Sequence, residues 1–404
     1  MMASRPLIFA SLILIIAITF QPFFKTLIFV QLGIGRAHQK IDEFPYDCQR
    51  LRHPLLDSCE DMVIDTEGRR IYAACSSVVG RMGWMPNNDK FNTTLRQKTD
   101  HITILPLDVP PSTVLSNLRT LALPTTYQSS ASNQEIDTLA LTIEQVSPDR
   151  LRLFAVNHRP PVGMDPETYG ANSTIEVFEL ERGGGELEYV KTIWSEGVVK
   201  TPNNLVGDGE GGVWVTNDHD AKVGKLRVLE IFRGGGSVAY CPPSKSSCHL
   251  AAEGIFNFAN GIARDTSGLI YVSNSALGTV TVLSHNSTTQ LLTHIHTIEV
   301  RMPIDNLSLD PNGDIYVAAF PDVLGLVLAS SSSAERDVGS SVFRVRKVVK
   351  EGGELAWDVE KMMEDVEGRV LPMATVVVHD AETGNLWLGG IASPYITLCE
   401  RRKE

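Results

Sequence analysis

Four aspartates in this 404-residue chain, Asp65, Asp208, Asp265 and Asp310, each follow by five residues a side chain with a hard oxygen: Glu60, Asn203, Asn260 and Asp305. A turn requires no acid or amide that far ahead of it, so the coincidence points to one ligand shared by several copies of a unit. Two carboxylates and two amide carbonyls, joined by the adjacent Asn306, make a donor set without sulfur or imidazole. Calcium takes about six to eight such oxygens in flexible geometry, whereas magnesium demands strict octahedral order, so calcium is the expected ion. Asp61, Asn204 and Asn306 sit one residue after three of these positions. Alternation along a strand sends neighbouring side chains opposite ways, which leaves room for a second cation there.

The elements that must hold these residues are written in the phrases around them. EDMVIDTEGRRIYAA from Glu60, NNLVGDGEGGVWVTN from Asn203, NGIARDTSGLIYVSN from Asn260, DNLSLDPNGDIYVAA from Asp305 and TVVVHDAETGNLWLGG from Thr375 share one pattern. Each is an apolar strand, a turn with Asp and Gly, and a second strand rich in β-branched or aromatic residues. Asp bonds its own backbone two residues on and Gly accepts positive φ, so the phrase describes a hairpin. A degenerate sixth copy, LTIEQVSPDRLRLFAVN from Leu141, loses the glycine. Between copies lie stretches such as STIEVFELE and GTVTVLSHN, enough for two more strands per unit. Six units of four strands predict an all-β, six-bladed β-propeller over residues 41–404. Equivalent positions then share radius and height along the central channel, so the four oxygen-bearing side chains should meet. The fifth copy places Thr375 at that position, and the sixth offers no oxygen-bearing equivalent.

Composition fits such a domain: 43% hydrophobic residues with only 7% aromatic can bury a large core. Acidic groups outnumber basic ones 48 to 36, and the net charge of -12 argues against a nucleic-acid partner. Residues 1–40 form a targeting element: Arg5, an apolar run from Pro6 to Phe20, then a second from Phe23 to Val30 broken by Lys25. A signal peptide and a membrane signal-anchor helix both fit. The lack of a small-residue cleavage site after the first run favours the anchor, with a luminal or extracellular propeller. All six cysteines follow this segment, as an oxidising compartment permits. Cys48 and Cys399 bracket the repeats, so a disulfide between them would staple the ring. Cys241 and Cys248 are close enough for a local clip, and Cys59 with Cys75 either pair or stay buried thiols. Asn92, Asn172 and Asn286 begin glycosylation sequons; the match at Asn306 is read as accidental, because a channel ligand cannot carry a glycan.

The phrases CEDMVIDTEGRRIYAACSS, LFAVNH, TPNNLV followed by TNDH, EGIFNFANGI, IDNLSLDPNGDIYV and ITLCE give the chain its resemblance to the serum paraoxonase/arylesterase family. The resemblance covers nearly everything after the targeting segment. It implies a calcium-dependent hydrolase of lactones or of aryl and other activated esters, with Glu60, Asn203, Asn260, Asp305 and Asn306 holding the catalytic calcium. It also implies a structural calcium at Asp61 and Asn204, where the family usually carries Asp in place of Asn204. His158 matches one member of the histidine dyad that activates water in that family. Its partner is missing: NQEIDTLALTI, where it should lie, has no histidine, and Asp137 is the nearest substitute orienter. His219 matches the family phrase near the channel mouth, while Phe320 replaces a channel-mouth histidine. No Gly-x-Ser-x-Gly elbow occurs, which disfavours a serine hydrolase. Two other readings share the scaffold. One is a strictosidine-synthase-like or gluconolactonase-like enzyme, and the other is a non-catalytic, calcium-stabilised propeller.

Overall fold

A computed structural model describes residues 11, 13, 17 and 24–402, apart from 128–134, 245–246, 331–337 and 371–372. Six four-stranded antiparallel sheets follow one another around a channel. Blades 1 to 5 begin with the inner strands Asp61–Asp65, Thr138–Ser147, Pro202–Gly207, Ala259–Arg264 and Ile304–Leu309, and each runs outward in chain order. Blade 6 takes Val376–Asp380, Asn385–Gly389 and Ile396–Arg401 from the C-terminal end and its outermost strand, Tyr46–Leu51, from the N-terminal end. Cys48 lies directly opposite Cys399 in that pairing, and the two form a disulfide. The degenerate copy is the inner hairpin of blade 2, with Arg150–Arg159 as its second strand.

The core consists of wedges between blades, and this explains why the second strands are apolar on both faces. In Arg70–Cys75, Ile71 and Ala73 pack against Val376 and Trp387 of blade 6, while Tyr72 and Ala74 pack against Leu141 and Leu153 of blade 2. Side chains of a strand alternate between faces, so a blade buried on both sides needs apolar residues at every position. Cys59–Cys75 is a disulfide across the first hairpin, and Cys241–Cys248 clips a loop of blade 3, so no cysteine is free among the described residues. Three disulfides place the folded chain in an oxidising compartment.

At the lower rim, each blade's inner hairpin is tied to the next blade. Arg182 donates to Asp65 at 3.0 Å, Lys347 to Asp265 at 2.6 Å and Arg69 to Asp380 at 2.7 Å. His379 Nδ1 meets Asp310 at 2.8 Å, Arg264 donates to the Asp208 carbonyl at 2.9 Å, and Gly209 N–H reaches Glu144 at 3.1 Å. The repeated turn aspartate is therefore a latch between blades as well as a turn former.

The upper end carries the connections between second and third strands, including a short helix, α1 (Val78–Gly83), and a two-stranded ribbon of Trp84–Met85 and Lys90–Phe91. The N-terminal helical turn Thr26–Gln31 rests on this end: Gln31 donates to Ala276 O, and Arg36 to Pro321 O at 3.0 Å. Most of the expected anchor lies outside the described residues. No helix among the described residues is long and apolar enough to cross a membrane.

Candidate metal centre

Blades 2 to 5 share one irregularity at the upper end of the inner hairpin. The pairing slips by one residue between Thr138 and Leu141, Pro202 and Leu205, Ala259 and Ile262, and Ile304 and Leu307. Such bulges bend a strand and re-aim its side chains. Here they set Leu139, Asn203, Asn260 and Asp305 at equivalent places, with Glu60 and Thr375 immediately ahead of the first pairs of blades 1 and 6. The oxygen-poor member that the sequence count leaves unplaced is thus Leu139, a buried apolar residue. Blades 4 and 5 approach closely at their inner strands: a Cβ on Gly261 would stand 2.6 Å from Leu307 N and 2.7 Å from Asn306 Cα, so only glycine fits.

The buried oxygens at this level divide into two groups. Glu60 Oε2, Asn203 Oδ1 and Asn260 Oδ1 have no hydrogen-bond partner among the described residues. Each is orphaned because the rest of its side chain is turned elsewhere. Asn306 Nδ2 donates to Glu60 Oε1 at 2.8 Å, the Asn260 amide faces the Asp305 carboxylate and favours its ionised form, and Asn203 Nδ2 donates to Asp218 Oδ2 at 3.4 Å. An unpaired buried oxygen costs about 1–3 kcal/mol, so three at one level call for a shared cation. Electrostatics agree. Burial, reinforced by Asp61 and Asp305, pushes the Glu60 carboxyl well above its ordinary range, and burial pushes Asp305 up to about 7. Among the described residues no group of three or more His, Cys, Asp or Glu is placed to hold a metal. Half of this donor set is amide, and its hard oxygens are of the kind that would suit a hard cation.

Asn306 plays a different part. Its Oδ1 accepts from Asn204 Nδ2 at 2.8 Å while its amide nitrogen braces Glu60. Neither Asp61 nor Asn204 leaves a side-chain oxygen unpaired. Asp61 accepts from Met62 N at 2.9 Å and Leu141 N at 3.0 Å, and Asn204 Oδ1 accepts from Leu205 N at 2.7 Å. With one carboxylate and every oxygen engaged, this pair does not fit a second cation.

His158 ends the second strand of blade 2, buried beneath the ribbon, where Trp84 Nε1 donates to its carbonyl at 2.7 Å. Its Nδ1 meets Ser173 Oγ at 2.8 Å, and Nε2 has no partner among the described residues. Burial, partly offset by Asp218, lowers its pKa to about 3. Asp137 does not orient this ring. Its carboxylate pairs with Arg96, and only its backbone carbonyl meets His158, at 2.9 Å from the amide nitrogen. Burial pushes Asp137 up to about 6.

His219 donates from Nδ1 to Asp218 at 2.8 Å, and Arg227 stands 3.6 Å from the same carboxylate. Burial alone would raise Asp218, but His219 and Arg227 hold it at about 2, so it stays ionised and aims Asn203. The sequence phrase TNDH contains Asp218, yet nothing in it foretells that contact, which joins two strands of blade 3 across the bulge. Thr375 contributes its hydroxyl to the Glu60 carbonyl at 2.9 Å rather than an oxygen to the shared centre. Phe320 is buried at the upper end, its N–H on Pro303 O. Of the sequons, Asn92 and Asn286 are exposed, Asn172 is half-buried and Asn306 is fully buried.

Comparison with known proteins bears on this arrangement. Serum paraoxonase/arylesterase 2 from Homo sapiens is 30% identical over 207 residues, 50% of this chain and 53% of that protein. Serum paraoxonase/lactonase 3 from Homo sapiens is 29% identical over 184 residues, 44% of this chain and 49% of that protein. The chain thus spans about half the length of the curated relatives it matches. A gluconolactonase structure from Xanthomonas campestris is a distant likeness, with 14% identity, TM-score 0.47 and coverage of 88% of this chain and 96% of that one. A family model described as Arylesterase matches residues 126–393, a span that contains His158, Asn203, Asn260, Asp305 and Asn306 but not Glu60. With more than half of its length matched in this way, the chain belongs to the arylesterase family.

Proposed function

We propose that this protein is a calcium-dependent hydrolase of lactones or of aryl and other activated esters. The observation that carries the reading is the set of partnerless buried oxygens on Glu60, Asn203 and Asn260, in register with Asp305, in a chain of the arylesterase family whose relatives are named for ester and lactone substrates. Glu60, Asn203, Asn260 and Asp305 would hold the ion. Calcium bound there would supply Lewis acidity and positive charge for a substrate carbonyl.

The chain's own residues do the rest. With its proton on Nδ1 toward Ser173, His158 would offer the Nε2 lone pair to a water, and a bound water and substrate would have to raise its basicity above what burial alone leaves it. Asp218 keeps the Asn203 oxygen facing inward. Trp84 and its ribbon shield His158 from bulk water. Exposed apolar side chains stand on the upper-end connections, among them Leu226, Phe232 and Leu324, and on the N-terminal segment, Phe29 and Ile34, which suits substrates drawn from a membrane surface near that segment.

Purified protein assayed on an aryl ester and on γ- and δ-lactones should turn over at least one of them and lose that activity to a calcium chelator. Asn260→Ala should lose calcium and turnover together. Folded, calcium-loaded protein that hydrolyses none of these substrates would make it a non-catalytic propeller.

A further inference from the structure

The cation read into the upper channel leaves open what stabilises the level beneath it, where Asp61 and Asn204 face each other. We propose that the side-chain amide of Asn204 stands in the place of a second cation, so that the chain binds one calcium and not two. This rests on the calcium reading of the Glu60 set.

The hydrogen bonds supply the argument. Asn204 Nδ2 donates to Asn306 Oδ1 at 2.8 Å, and the same amide faces the Asp61 carboxylate and favours its ionised form. Asn306 Nδ2 in turn donates to Glu60 Oε1 at 2.8 Å and lies 3.2 Å from the Glu60 carbonyl oxygen. Hydrogen bonds therefore run from Asn204 through Asn306 to Glu60, with Asp61 facing the Asn204 end. Their polarity is fixed: the NH2 of Asn204 donates to the Asn306 oxygen and turns its positive edge toward the Asp61 carboxylate, as a cation there would. Any cation placed there would meet the donor face of that amide, and an amide NH2 has no lone pair to offer. The other end of Asn204 is pinned, because Oδ1 accepts from Leu205 N at 2.7 Å, so the group cannot turn over without orphaning that N–H. Its backbone is pinned as well, its N–H on Thr216 Oγ1 at 3.0 Å. Asn306 then serves as a positioning residue that holds Glu60, with its oxygen committed to Asn204 and away from the ion.

The test is a count. Bound calcium per chain is measured by atomic emission on extensively dialysed protein, alongside thermal midpoints with and without chelator. One calcium per chain is expected for the natural chain and for Asp61→Asn. Asn204→Asp should raise the count to two and add a second chelator-sensitive rise in midpoint, because it places a carboxylate opposite Asp61. Two calciums in the natural chain, falling to one in Asp61→Asn, overturn the proposal. So does a folded Asn204→Asp variant that still binds one. No bound calcium at all is a separate failure, since it removes the upper site as well. If Asn204→Asp does not fold, the counts for the natural chain and Asp61→Asn still decide.

Discussion

At the scale of single residues, the central fact is that buried carboxylates share one level of the channel. Asp305 is pushed up to about 7 by burial, so a cation held there, as proposed, would have to displace a proton near neutrality. A ligating carboxyl must be ionised. Asp305 meets that requirement above pH 7, whereas below it a bound calcium must displace the Asp305 proton, so affinity falls toward acid by up to about tenfold per pH unit for each proton displaced. Glu60, also raised by burial, adds to the same slope. Calorimetric titration at pH 8 and pH 6, in buffers of different ionisation enthalpy, should show weaker binding and greater proton release at the lower pH. Affinity that stays flat over that range would remove Asp305 from the ligand set. His158 contributes nothing to this slope, because at about 3 its own titration lies far below it. The acids and amides were visible by counting along the sequence. Their shifted proton affinities were not, since these depend on burial and on neighbours brought from other blades.

At the scale of elements, the informative unit is the inner hairpin, irregular at its upper end and latched at its lower end. Period-two patterning reveals strands but is blind to a one-residue bulge, which is why Leu139 could not be placed from sequence. The latches have a consequence for acid stability. Burial opposes ionisation of Asp265, Asp310 and Asp380, but Lys347, His379 and Arg69, with turn N–H groups, outweigh it and hold all three below the ordinary value of 3.8. A depressed folded pKa means that the unfolded chain binds more protons near that value. The stabilisation is therefore present above pH 3.8 and is lost as pH falls below it. Arg69→Ala should cost about 2 kcal/mol at pH 7, since it strips a nearly buried carboxylate of its bidentate partner. In urea titrations its difference from the natural chain should shrink as the pH is lowered toward 3. A difference that is constant with pH would assign Arg69 a packing role only.

At the scale of the whole molecule, a ring of six wedges is only as sound as its closure, and closure here joins Tyr46–Leu51 to Ile396–Arg401. The Cys48–Cys399 bond spans 351 residues of sequence. Chain-entropy arguments assign so long a loop about 5 kcal/mol, an upper figure because engineered and native bonds often deliver less. The paired Cys48→Ser, Cys399→Ser variant should therefore unfold at clearly lower denaturant while keeping its blades. An unchanged midpoint would show that strand pairing alone holds the ring. By itself the sequence determined the six-unit propeller, the disulfide across its ends and the register of Glu60, Asn203, Asn260 and Asp305, because repeats and spacing are local properties of a chain. Only the tertiary structure decided that Cys59 pairs with Cys75, that Asp137 serves Arg96 instead of His158, and that Asn204 and Asn306 hold each other. Those outcomes depend on which atoms of different blades come within about 3 Å, the reach of a hydrogen bond, and no single strand contains that information.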